Sequence, residues 1–92
     1  MAALSMDEAE RRAAGLPGWK IDSGELVKTF AFSDFRQALA FVNRVGDAAE
    51  AAGHHPDIDI RYNRVRLALV THDAGGLTVK DFDLASGINI LA

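Results

Sequence analysis

The segment Ile58-Asp59-Ile60-Arg61-Tyr62-Asn63-Arg64-Val65-Arg66-Leu67-Ala68-Leu69-Val70-Thr71 decides the fold. Ile58, Ile60 and Tyr62 alternate with Asp59 and Arg61. Val65, Leu67, Leu69 and Thr71 alternate with Arg66, Ala68 and Val70. A period of two places each apolar set on one face of a strand. Asn63-Arg64 reads as the short turn between the strands, because Asn tolerates positive φ. The segment therefore predicts an antiparallel hairpin with one buried face.

Upstream, the apolar positions Phe35, Ala38, Leu39, Val42, Val45, Ala49 and Ala52 follow helical spacing. They predict a helix over 34–52, capped by Ser33 and ended by a left-handed Gly53. Before it, Trp19-Lys20-Ile21 and Leu26 to Phe32 flank the turn-forming Asp22-Ser23-Gly24-Glu25, which predicts a first hairpin. Ser5 and Glu8 form a capping-box pattern at the head of an N-terminal helix that Gly15 and Pro17 end. Downstream, Thr78 caps a last helix with Asp81 in its first turn. Phe82, Leu84, Ala85, Ile88 and Leu91 form its apolar stripe. The order is α-β-β-α-β-β-α, an α+β fold with a four-stranded antiparallel sheet and helices on one face. Residues 1–92 read as one domain.

Composition narrows the function. A chain of 92 residues hides only about 60–65% of its unfolded surface, so oligomerisation is a natural source of further burial. The absence of cysteine excludes disulfides, thiolate zinc sites and cysteine nucleophiles. A net charge of -3 argues against a nucleic-acid partner. No apolar run is long enough for a membrane span, and the N-terminus lacks a secretory pattern, so a cytoplasmic location is expected. Arg61, Arg64 and Arg66 alternate along the hairpin and read as a solvated face.

All three histidines fall between positions 54 and 72, in Glu50-Ala51-Ala52-Gly53-His54-His55-Pro56 and Thr71-His72-Asp73. Singly, each would read as a surface residue. The hairpin, however, brings its outer ends together, so His72 falls near Pro56 and the other two histidines. Glu50 lies four residues before His54, so a nearly continued helix would pair the two and set the imidazole tautomer. Pro56 forces His55 into an extended conformation. Three imidazoles, a carboxylate and a glycine loop form an acid–base pocket. Asp81 reads both as a helix cap and as a pocket residue. A zinc or iron site is a rival reading, weakened by the absence of a histidine pair at helical i, i+4 spacing.

Glu50-xxx-His54-His55-Pro56, Tyr62-Asn63, Val65 and Thr71-His72-xxx-Gly76-Leu77-Thr78-xx-Asp81-xx-Leu84-Ala85 together resemble the pterin-4a-carbinolamine dehydratase family. The resemblance implies a hydro-lyase, 4a-hydroxytetrahydrobiopterin dehydratase, serving aromatic amino-acid hydroxylases by recycling their pterin. It implies no cofactor and no metal. His54 and His72 would do acid–base work, and His55 would bind pterin and assist. Glu50 would orient His54. Thr71, His72 and Asp73 would bind the pterin edge through their backbone, and Asp81 would join them. Family members commonly form dimers or tetramers, so a homo-oligomer is expected. The alternative is a non-catalytic interaction, assembly or coactivator protein of the same fold. Ile58 departs from the family in standing where many members carry Trp, which removes an aromatic surface near the site.

Overall fold

The computed structural model describes residues 2–92. In chain order these form α1 (Met6–Ala14), β1 (Lys20–Asp22), β2 (Glu25–Ala31), α2 (Phe35–Ala52), β3 (Asp57–Arg61), β4 (Arg64–Leu69) and α3 (Val79–Leu91). A 3-10 turn over His72–Ala74 precedes α3. The four strands make one antiparallel sheet, as expected, and their order in it is β1-β2-β4-β3. The chain leaves β2 through α2, lays β3 on the far edge, and returns as β4 beside β2. Among the described residues, no helix is long and apolar enough to cross a membrane.

The register shows which face is buried. Leu26 pairs with Leu69 and Phe30 with Val65, so these side chains share one face. That face carries the core, together with Ala9 and Ala13 from α1, Ala38, Phe41, Val45 and Ala49 from α2, and Phe82, Leu84, Ala85 and Ile88 from α3. Thr29, Arg66 and Asp59 lie side by side on the other face. Arg61, Arg64 and Arg66 are all exposed, as a solvated face requires.

The structure shifts several local expectations. In α2 the buried stripe runs through Ala38, Phe41, Val45 and Ala49, whereas Phe35 and Leu39 are exposed. Phe41 is fully buried and stacks obliquely on Phe30 and Phe32, a burial worth about 1.5–3 kcal/mol. The α2 cap is Asp34, whose carboxylate accepts from the Gln37 N–H, and not Ser33. The hairpin turn sits one residue early, at Tyr62-Asn63. Tyr62 takes φ 51°, while Asn63 is clasped to Phe32 by two hydrogen bonds. Gly15 ends α1 without the left-handed conformation, and the Glu8 carboxylate binds Arg11 and Arg12 rather than closing a capping box.

The β1 side of the sheet, across from edge strand β3, is braced by polar side chains. Asn89 Oδ1 accepts from Trp19 Nε1 at 2.9 Å and from Lys28 Nζ at 2.8 Å, and Lys28 also donates to the Pro17 carbonyl. Burial lowers the Lys28 pKa. These contacts tie the C-terminal turn of α3 to the segment between α1 and β1.

Candidate active site

Gly53 determines where the first two histidines go. It takes the left-handed conformation (φ 63°, ψ 29°), and the His54 N–H then donates to the Ala49 carbonyl at 3.2 Å. A helix closed this way turns the chain off its axis, and glycine adopts that conformation without steric strain. His54 is therefore swung towards α3 and is not left beneath Glu50. Its Nε2 lies 2.6 Å from Asp81 Oδ1. Glu50 instead pairs with Nε2 of His55, which the following proline holds extended. The expected Glu50–His54 pair is thus replaced by two pairs, His54–Asp81 and His55–Glu50.

Asp81 is fully buried and sits at the centre of a hydrogen-bond network. Its Oδ2 accepts from the Thr78 N–H and from the Thr71 hydroxyl, each at 2.9 Å. Thr78 and Asp81 close a reciprocal capping box at the start of α3. The Thr78 hydroxyl lies 2.8 Å from that of Thr71, which is free to accept because it donates to Asp81. Oδ2 thus accepts twice while Oδ1 faces His54 Nε2, so the carboxylate anchors that ring nitrogen and Nδ1 is the nitrogen it leaves unbound. Among the described residues no buried side-chain nitrogen or oxygen lacks a partner.

The third histidine comes from the end of the second hairpin. Asp57 pairs with Ala68, so the outer ends of β3 and β4 meet as expected. The chain then bends through the 3-10 turn, Gly75 takes φ 73°, and Thr71 bridges back to Gly76. A hollow of about 270 Å³ opens here, lined by His54, His55 and His72 together with Thr71, Asp73 and Lys80. His72 and Asp73 are exposed. Asp81 and Glu50 are not in its wall; Asp81 stands behind His54 and Thr71, to both of which it is hydrogen-bonded. The Thr71 N–H and carbonyl are both used inside the loop, the former on Gly76 and the latter by Ala74 and Gly76. Ile58 also lies outside the lining, on edge strand β3.

Lys80 is the charged lining residue that sequence reasoning missed, beside Val70 and Gly53. Its one signal is its position two residues after the Thr78 cap, which sets it on the first turn of α3 facing the histidines. Among the described residues, no group of three or more His, Cys, Asp or Glu side chains is disposed to hold a metal ion. What the arrangement offers is proton chemistry: a partly buried imidazole held by a buried carboxylate, an exposed one paired with a surface carboxylate and a third without either, all facing one open space.

An α+β sheet with a histidine-lined hollow at one end is the class that fold and site define. The family model for pterin 4 alpha carbinolamine dehydratase matches residues 2–91, and the chain belongs to that family. A protein of Acidobacterium capsulatum named "Putative pterin-4-alpha-carbinolamine dehydratase" is 62% identical over 99% of both chains. One of the same name from Chloroflexus aurantiacus is 58% identical, covering 97% of this chain and 96% of its own. Among solved structures, a transcriptional coactivator/pterin dehydratase from Brucella melitensis superposes with a TM-score of 0.93 at 32% identity over 98% of each chain. A pterin dehydratase-like protein identified as a RuBisCO assembly factor in the alpha-carboxysome gives 0.66 at 25% identity, over 80% of this chain and 86% of its own.

Proposed function

We propose that the protein dehydrates 4a-hydroxytetrahydropterins. The observation that carries this reading is the convergence of His54, His55 and His72 on one hollow, in a chain of the pterin 4 alpha carbinolamine dehydratase family. The reaction breaks the C4a–O bond, removes the N5 proton and leaves an N5–C4a double bond in the quinonoid dihydropterin. Hydroxide is a poor leaving group, so an acid must protonate the departing oxygen while a base takes the ring N–H proton. One hollow must therefore present both, and imidazole serves in either role at neutral pH. His54, held by Asp81 through Nε2 with Nδ1 unbound, suits the base. His72 suits the acid, and His55, paired with Glu50, flanks the ring. Asp73 and the turn around His72 face the polar edge of the pterin.

The reading extends to a cytoplasmic homodimer or homotetramer that recycles pterin for a hydroxylase. The exposed Phe35, Leu39 and Ile58 support assembly, since they would be covered in an oligomer. A second reading, an interaction or assembly protein without catalysis, draws on the coactivator and assembly-factor neighbours. The intact histidine set favours the enzyme. The test is quinonoid formation from a synthetic 4a-carbinolamine. The wild type should accelerate it, and His72→Ala should lose about 10²–10⁴-fold of that acceleration. A folded wild type that gives no acceleration would favour the second reading.

A further inference from the structure

Lys80 is the one lysine or arginine that lines the histidine hollow. Nothing in the proton chemistry above uses it.

Its placement does not serve the fold. Lys80 follows the Thr78 cap by two residues, on the first turn of α3, where unpaired N–H groups make the helix end positive and disfavour a cation. The carboxylate of that turn, Asp81, is taken by His54, Thr71 and Thr78. Asp83 stands three residues on, at the spacing of a helical ion pair. Even so, among the described residues the Lys80 ammonium has no hydrogen-bond or ion-pair partner, and only its backbone N–H is engaged, by the Thr78 hydroxyl. An ammonium with three donors and no acceptor thus stands uncommitted at the wall of the hollow.

We propose that Lys80 is a catalytic residue of the dehydration, donating a hydrogen bond to the 4a-oxygen as it leaves; the inference rests on the dehydratase reading. Breaking the C4a–O bond sends its electron pair onto oxygen. The N–H pair of N5 closes the N5–C4a double bond, and the N5 proton goes to His54. Negative charge builds on the departing oxygen until the proton from His72 completes the water, and Lys80 keeps all its own protons. A cation beside that oxygen stabilises the transition state more than the bound substrate, whose hydroxyl is neutral. It therefore acts on kcat rather than on KM.

The chain has no cysteine, so a thiol introduced at position 80 can be alkylated selectively. Lys80→Cys should lose about 10²-fold in kcat with KM little changed, the lower end of what removing one such donor costs. Treating that variant with 2-bromoethylamine installs an ammonium at nearly the reach of lysine and should recover most of the loss. Iodoacetamide installs a neutral amide of similar size and should recover little. A side chain that only props the wall would respond alike to both reagents. Circular dichroism checks that each form keeps its helices. If the wild type turns over the carbinolamine and Lys80→Cys matches its kcat, or if the two reagents restore turnover equally, the role of Lys80 is overturned and the dehydratase reading stands. If the wild type gives no turnover, the dehydratase reading falls and takes this role with it.

Discussion

His54 and His55 are neighbours in sequence, and each binds a carboxylate through Nε2, yet the two pairs are built differently. The His54 side chain is 12% exposed and that of its partner Asp81 0%, against 61% for His55 and 77% for Glu50. Asp81 also holds Thr71 and Thr78, so the first pair is locked to α3 and to the loop that carries His72. Glu50 and His55 meet at the surface. A buried charge-assisted pair holds its geometry because any alternative strands a polar group, whereas an exposed pair competes with water at every moment. The same chemical pairing thus gives a fixed geometry in one place and an adjustable one in the other.

Removing Asp81 should have the largest effect. Asp81→Ala leaves the His54 N–H, the Thr71 hydroxyl and the Thr78 N–H without their acceptor. The expected loss is about 3–5 kcal/mol in denaturant unfolding, a large share of the stability of a small domain. Asp81→Asn separates shape from charge. Its amide offers one acceptor where the carboxylate offers two, so either His54 or the threonine pair meets a donor. If the NH₂ faces His54, the imidazole hydrogen must move to Nδ1, and the base is lost. Turnover should fall about 10²–10⁴-fold in a protein that still folds. Retained turnover in Asp81→Asn would break the contrast between the two pairs.

Thr71→Val probes the network one bond further from the chemistry. It removes the hydroxyl that donates to Asp81 and accepts from Thr78. The substitution should lower stability by about 1–3 kcal/mol, the range for leaving buried polar groups unpaired. His54 keeps its own bond to Asp81, so turnover should fall by less than in Asp81→Asn. Urea titration together with quinonoid formation rates separates the two losses.

Most of the fold was legible because alternation and helical spacing are local signals. The two hairpins, the Thr78 cap and the left-handed Gly53 all follow from neighbours in sequence. Phe41 was not legible, because which side of α2 faces the sheet depends on how the helix is rotated in the packed structure. The three histidines were legible as one cluster, since hairpin closure alone brings their segments together. Their partners were not. The Glu50–His54 pairing assumed a helix continued past residue 53, and the left-handed Gly53 that ends the helix also rotates the pairing by one residue. Asp81 stood out as a cap from its spacing to Thr78, but its second bond, to His54, joins residues 27 apart in sequence, and only the packing of α2 on α3 sets that distance. Lys80 carried no signal beyond its spacing from Thr78, because its significance is the space beside it.

Glu50→Gln should have the smallest effect, and the reason is a near cancellation. Glu50 lies in the last turn of α2, where the carbonyl end of the helix disfavours a negative charge by about 0.3–1 kcal/mol. Its hydrogen bond with the exposed His55 returns a comparable amount, about 0.5–1 kcal/mol. Neutralising the side chain removes the first and weakens the second, so stability should move by no more than about 0.5 kcal/mol. The glutamine oxygen still accepts from His55, so turnover should change only a few-fold, and about 1 M salt, where screening acts within about 3 Å, should bring the wild type towards the variant. Steady-state turnover at low and high salt measures both effects. A hundredfold loss in Glu50→Gln at either salt concentration would mean that the exposed pair constrains His55 as firmly as the buried pair constrains His54, and burial would then not be what distinguishes them.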